Sequence, residues 1–99
     1  MNINNLKCEK VFDYFKKICT IPHGSGNTKG IAGFLIEFAK AHNFKYYADE
    51  YDNVIIYKDG QNIDCIKDSV ILQSHTDMVC EKDADKEFDF LKDKISLIF

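Results

Sequence analysis

The chain has 99 residues, 45% apolar and 29% charged, with 13 Lys and Arg set against 16 Asp and Glu for a formal net charge of -3. That balance describes a globular chain with one core, burying roughly 65% of its unfolded surface, so that disorder is not the default reading. The dispersed basic residues exclude a nucleic-acid stripe, and no apolar run nears the ~18 residues of a membrane span.

The opening residues "MNINNLKCEK" lack the basic start and apolar stretch of a secretory leader, so the expected compartment is cytoplasmic. Cys8, Val11, Phe12, Phe15, Ile18 and Cys19 then recur at the spacing of one helical face, which predicts a first helix from about residue 4 to 19. Pro22 ends it, since its ring disfavours helical geometry at Ile21 and brings no amide donor. A glycine-rich loop, "HGSGN", follows. Ile31, Phe34, Leu35, Phe38 and Ala39 mark a second helix, with Asn27 or Thr28 placed to cap its start and Asn43 suited to its end.

The period then changes from helix to strand. "FKYYAD" (44 to 49) and "NVIIYK" (53 to 58) are short, β-branched or aromatic, and joined by a tight connection. After a turn region at 58 to 62, "SVILQS" reads as a third strand, and its unbroken Val70, Ile71, Leu72 run suggests cover on both faces. Helix, helix and at least three strands define an α/β class in a single domain over residues 1 to 99. Beyond Val79 the chain is heavily charged, a surface segment with Phe88, Phe90 and Leu91 as anchors.

Four cysteines, Cys8, Cys19, Cys65 and Cys80, form no CxxC pair, and the spacing of a structural zinc cluster is missing. They read as small buried hydrophobes in a reducing compartment. A Cys80 and His75 nucleophilic pair has no support from a thiolate-lowering environment or an oxyanion site. His23 and His42 read as a loop residue and a helix-end residue.

His75 and Asp77 stand two apart, so on an extended chain they share a face at roughly 6.5 to 7 Å. An Asp that accepts from one imidazole nitrogen leaves the other nitrogen for a metal, just past the carboxyl end of a strand. On spacing alone, a solvent-facing histidine beside an unrelated acid is the favoured account, because a zinc site needs three or four protein ligands. The Gly24, Gly26 and Gly30 loop with Asn27 and Thr28 offers a different chemistry, a flavodoxin-like flavin-phosphate cradle. A flavodoxin loop follows a strand, however, and the segment before this one has helical periodicity, so a turn between helices is the better account.

Taken together, "IPHGSGNTKGIAGFLIEFAKAHNF", "DEYDNVIIYK" and "VILQSHTDMVCEKD" resemble the amino-terminal part of aminoacyl-histidine (Xaa-His) dipeptidases, a branch of the dinuclear zinc metallopeptidases. The resemblance runs from about Val11 to Asp93 and rests on three blocks in order. It implies zinc as cofactor, two ions in the full-length family, with His75 as a metal ligand and Asp77 as the catalytic residue that supports the imidazole. It implies a small dipeptide such as carnosine as substrate. Ser74 and Thr76 depart from the family pattern, which has Gly before the histidine and an apolar residue after it. The remaining ligands, the general base and the lid domain of the family all come after residue 99. The expectation is therefore a truncated chain, inactive alone, or a non-catalytic fragment or interaction module that self-associates through an exposed sheet edge.

Overall fold

The computed structural model describes residues 8–60 and 68–98, which group into two compact units, Met1–Ile31 with Asp77–Phe99 and Ala32–Thr76. In the first unit, helix α1 spans Glu9–Cys19. Glu9 in its first turn and Lys16 and Lys17 in its last complement the helix dipole. The part expected before Cys8 lies outside the described residues. At the far end the helix tightens: Thr20 N–H donates to the Lys17 carbonyl and Ile21 N–H to Ile18, at 3.1 and 3.0 Å. Pro22 then forbids continuation, as expected. Ile95 N–H reaches the Cys19 carbonyl at 3.0 Å and so gives one of the last helical carbonyls a partner. Cys19 itself is buried, and burial pushes its thiol up, which keeps it protonated and inert.

Helix α2 runs Lys29–Ala41, and its inward residues are Ile31, Ala32 and the fully covered Ala39. Its end is a left-handed cap. Asn43 has φ 57, its N–H donates to Lys40 at 3.1 Å, and Phe44 N–H donates to Ala39 at 2.9 Å. These are the two bonds of a Schellman motif, and the hydrophobic contact that accompanies one is present between the Phe38 and Phe44 rings, 6.2 Å apart. Asn tolerates the left-handed region better than other non-glycine residues. Asn43→Ala is therefore expected to cost about 1 kcal/mol in denaturant unfolding, whereas Asn43→Gly should be neutral or stabilising.

Strands β1 (Lys45–Ala48) and β2 (Val54–Tyr57) pair antiparallel, with Tyr46 opposite Ile56 and Tyr47 opposite Ile55. Each is one residue shorter at both ends than the expected strand, and on the turn side this is because Asp49 and Asn53 belong to the connection. The Asp49 carboxylate accepts from Tyr51 N–H, Asn53 N–H and the Asn53 side-chain amide at 2.9 to 3.0 Å. Asp52 takes a positive φ of 66 within this turn. The Asn53 side-chain amide, followed by the Asn53 and Tyr51 backbone N–H groups, holds the Asp49 carboxyl below its ordinary range despite some desolvation. A depressed folded-state pKa contributes stability that is complete above the unfolded value and lost as pH falls through the folded one. The Tyr51 and Asn53 amide resonances should accordingly move on acidification below the normal aspartate range, and Asp49→Asn should abolish that titration.

No third strand is formed among the described residues. Residues 68 to 76 carry no ladder, and Val70, Ile71 and Leu72 are 85%, 88% and 94% exposed rather than covered on both faces. The reason is that a strand is defined by its pairing, and neither β1 nor β2 supplies a partner to this run. Two further expectations are corrected. Leu91 is exposed, so only Phe88 and Phe90 anchor the charged segment, with rings edge to face at 4.9 Å. Of the cysteines, Cys19 is buried but Cys8 and Cys80 are exposed, and Cys65 lies outside the described residues. No described helix is long and apolar enough to cross a membrane.

Candidate active site

Loop 23 to 27 is a connection between α1 and α2, as its sequence surroundings indicated. Asn27 N–H donates to the Gly24 carbonyl at 2.8 Å, with Gly26 at φ 82 in the third position of the turn, where an L side chain is strained. Gly24 is buried, and a Cβ built on it would collide with Cys80 Sγ. His23 Nδ1–H donates to the Ile21 carbonyl at 2.6 Å.

This loop is joined to residues 77 and 78 by a short parallel bridge, Gly24 to Met78. Met78 N–H donates to the His23 carbonyl at 2.9 Å and Ser25 N–H to the Met78 carbonyl at 3.1 Å. Beside these two backbone bonds, Ser25 Oγ–H donates to Asp77 Oδ2 at 2.6 Å. The amides of Ser25 and Asn27 are thus directed at carbonyl oxygens, which leaves them unavailable to cradle a flavin phosphate in this conformation.

Asp77 is half-buried at the start of the second stretch of the first unit, and His75 is exposed in the unpaired run that closes the other unit. Ser74, which stands where the family pattern has Gly, is exposed and donates its hydroxyl to the His75 carbonyl at 3.1 Å. Cys80 turns its thiol toward the Met78 carbonyl at 3.8 Å. His42, at the end of α2, donates from Nδ1 to the Phe38 carbonyl at 2.9 Å and stacks on Phe44. Its role is that of a helix-end residue.

Among the described residues, no three His, Cys, Asp or Glu side chains gather as a metal ion requires. A catalytic zinc takes three protein ligands and keeps a fourth position open. The donors among the described residues do not by themselves fit such an ion, and no hydrolytic step follows from them alone. Ser25 is the residue that sequence reasoning passed over. The only signal for it was a hydroxyl between two glycines, which reads equally well as turn chemistry.

No family model matches the chain. It is similar to a cytosol non-specific dipeptidase of Escherichia coli (strain K12), 34% identical over 93 residues, which is 94% of this chain and 19% of that protein. In three dimensions it is similar to an aminoacylhistidine dipeptidase from Vibrio alginolyticus, with a TM-score of 0.88 and 34% identity over 96% of this chain and 19% of that one. The sequence and the helix, helix, hairpin arrangement are thus similar to those of part of a dipeptidase. More particularly, the chain is aminoacyl-histidine dipeptidase-like, and it spans about a fifth of the length of the relatives it matches.

Proposed function

We propose that this chain is the part of a zinc-dependent, cytoplasmic Xaa-His dipeptidase that carries His75, a ligand of one of two zinc ions, and Asp77, the carboxylate that supports its imidazole. The supporting observation is the dipeptidase-like sequence and fold over nearly the whole chain, which includes the His-x-Asp pair. In such an enzyme the bound zinc polarises the scissile carbonyl and acidifies a water. The contribution of this chain is narrower. The imidazole offers one nitrogen as a donor, and the carboxylate selects which nitrogen that is. The substrate is a small dipeptide of the carnosine type. Without further donors the 99 residues leave such a dipeptide intact.

The test is a zinc titration followed by the imidazole resonances of all three histidines, in wild type and in His75→Ala. The reading requires His75 to respond before His23 and His42, and the reverse order would sink it.

A second, non-catalytic reading is favoured by a separate observation, the exposure of Val70, Ile71 and Leu72. A contiguous, exposed and unpaired apolar run of this kind is a candidate for association with another chain. On this reading the chain self-associates through residues 69 to 74, and size-exclusion chromatography over a range of concentrations tests it.

A further inference from the structure

Strand β2 ends at Tyr57, the partner of Lys45, and the chain leaves the ladder through Lys58, Asp59 and Gly60, all three exposed. Asp59 and Gly60 are the one place in the sequence where an acid or its amide precedes a glycine. Among the described residues beyond its chain neighbours, no atom comes within 4 Å of the position a Cβ on Gly60 would take. No partner among them holds the Asp59 carboxylate. Asp49, in the turn of the same hairpin, differs in this respect, since three donors occupy its carboxylate.

The Cγ of an aspartate lies within reach of the backbone nitrogen of the residue that follows. What ordinarily blocks attack is a Cβ on that residue, a backbone fixed in a ladder or helix, or a carboxylate held elsewhere. None of these acts at Asp59.

We propose that Asp59 is a modification site, at which the chain converts to isoaspartate through a succinimide. The Gly60 nitrogen attacks Cγ of the carboxylic acid form and an N–Cγ bond closes. The amide proton leaves with the acid hydroxyl as one water. A water then adds to the ring. Cleavage of the N–Cγ bond restores aspartate, whereas cleavage of the bond from the nitrogen to the Asp59 carbonyl carbon leaves the chain running through Cβ and Cγ. No electrons are exchanged, and the water released is the water returned. The product carries an additional backbone carbon and a free α-carboxylate, with the net charge unchanged. It falls beyond the Lys45 and Tyr57 pair, so the ladder is kept. The chemistry is independent of His75 and Asp77.

The experiment ages the intact chain in warm neutral buffer, folded and in denaturant. Isoaspartate is read by methyl transfer from labelled S-adenosylmethionine, using an isoaspartyl carboxyl methyltransferase as the probe. Trypsin, cutting after Lys58 and Lys67, places Asp59 and Asp68 on different peptides. Label in the folded chain should concentrate on the Asp59 peptide, ahead of Asp68, which Ser69 follows. Its rate should lie within about twofold of that in denaturant, since no folded contact has to open first. Asp59→Glu should lose the label, because cyclisation would need a larger ring, and Gly60→Ala should lower it. Glu50→Gly places a second glycine directly after an aspartate, at Asp49, whose carboxylate is held. Label there should grow at least about tenfold more slowly than at Asp59, the factor that one hydrogen bond to a charged group is worth.

Label that appears faster at Asp68, or that persists on the same peptide in Asp59→Glu, overturns the proposal. So does a folded rate at Asp59 far below that in denaturant. Equal rates at Asp49 and Asp59 in Glu50→Gly, with the Tyr51 and Asn53 amides still reporting an intact turn, would overturn it as well. If that turn is lost, the comparison with denaturant decides alone.

Discussion

Zinc added to the purified chain is expected to bind with a Kd on the order of millimolar, roughly -4 kcal/mol, and to support no measurable hydrolysis of carnosine or another Xaa-His dipeptide. The reason is the donor count. Structural zinc sites with a full ligand set reach about 10 to 16 kcal/mol in small peptides at neutral pH. One imidazole steadied by one carboxylate provides a small part of that. Exposed thiols would obscure the measurement, since Cys8 and Cys80 are both accessible. Calorimetry is therefore best done with Cys8, Cys65 and Cys80 replaced by serine. In that background His75→Ala should remove the residual binding, while His42→Ala should leave it unchanged. Turnover by the chain alone that is abolished by His75→Ala would show that the donor count is wrong.

The second large effect concerns the run from Val70 to Leu72. Full burial of a Leu or Ile side chain is worth about 1.5 to 3 kcal/mol, and here each is close to fully exposed. The described core is small by comparison: its buried apolar residues are Cys19, Ile31, Ala32 and Ala39, none of them large and fully covered. Sedimentation or size-exclusion measurements should show mass rising with concentration. Leu72→Lys should raise the dissociation constant about tenfold to a hundredfold by removing one such contribution and adding a charge at the contact. A chain that stays monomeric at all concentrations, before and after the substitution, would rule out association through this segment.

The helices were legible because their causes are local. The apolar spacing of Val11, Phe12, Phe15 and Ile18, and of Ile31, Phe34, Leu35 and Phe38, is a property of consecutive residues, and so is the stop at Pro22. Asn43 was readable as a terminator for the same reason, since its left-handed backbone conformation is its own. The hairpin was legible from its β-branched run, but its length was not. Asp49 gathers three donors within four residues of itself and so draws both strand ends into the turn.

Residues 69 to 74 show the limit of such reading. Their β-branched composition states a preference for extended backbone, yet a strand exists only when a second segment supplies donors and acceptors. Composition carries no information about that partner. His75 and Asp77 belong to the same lesson in reverse: their spacing is short enough to be seen in the sequence, and resemblance to dipeptidases gave it meaning.

The amino-acid order by itself determined two helices and a hairpin. Each of these depends on residues within a few positions of one another. Tertiary structure alone decided that Ser25 meets Asp77, that Gly24 must lack a side chain because Cys80 closes over it, and that the apolar run at 70 to 72 lies uncovered. Those facts depend on the path of the chain between distant segments, and hydrogen bonds and steric exclusion act between whatever groups that path brings within about 3 to 4 Å.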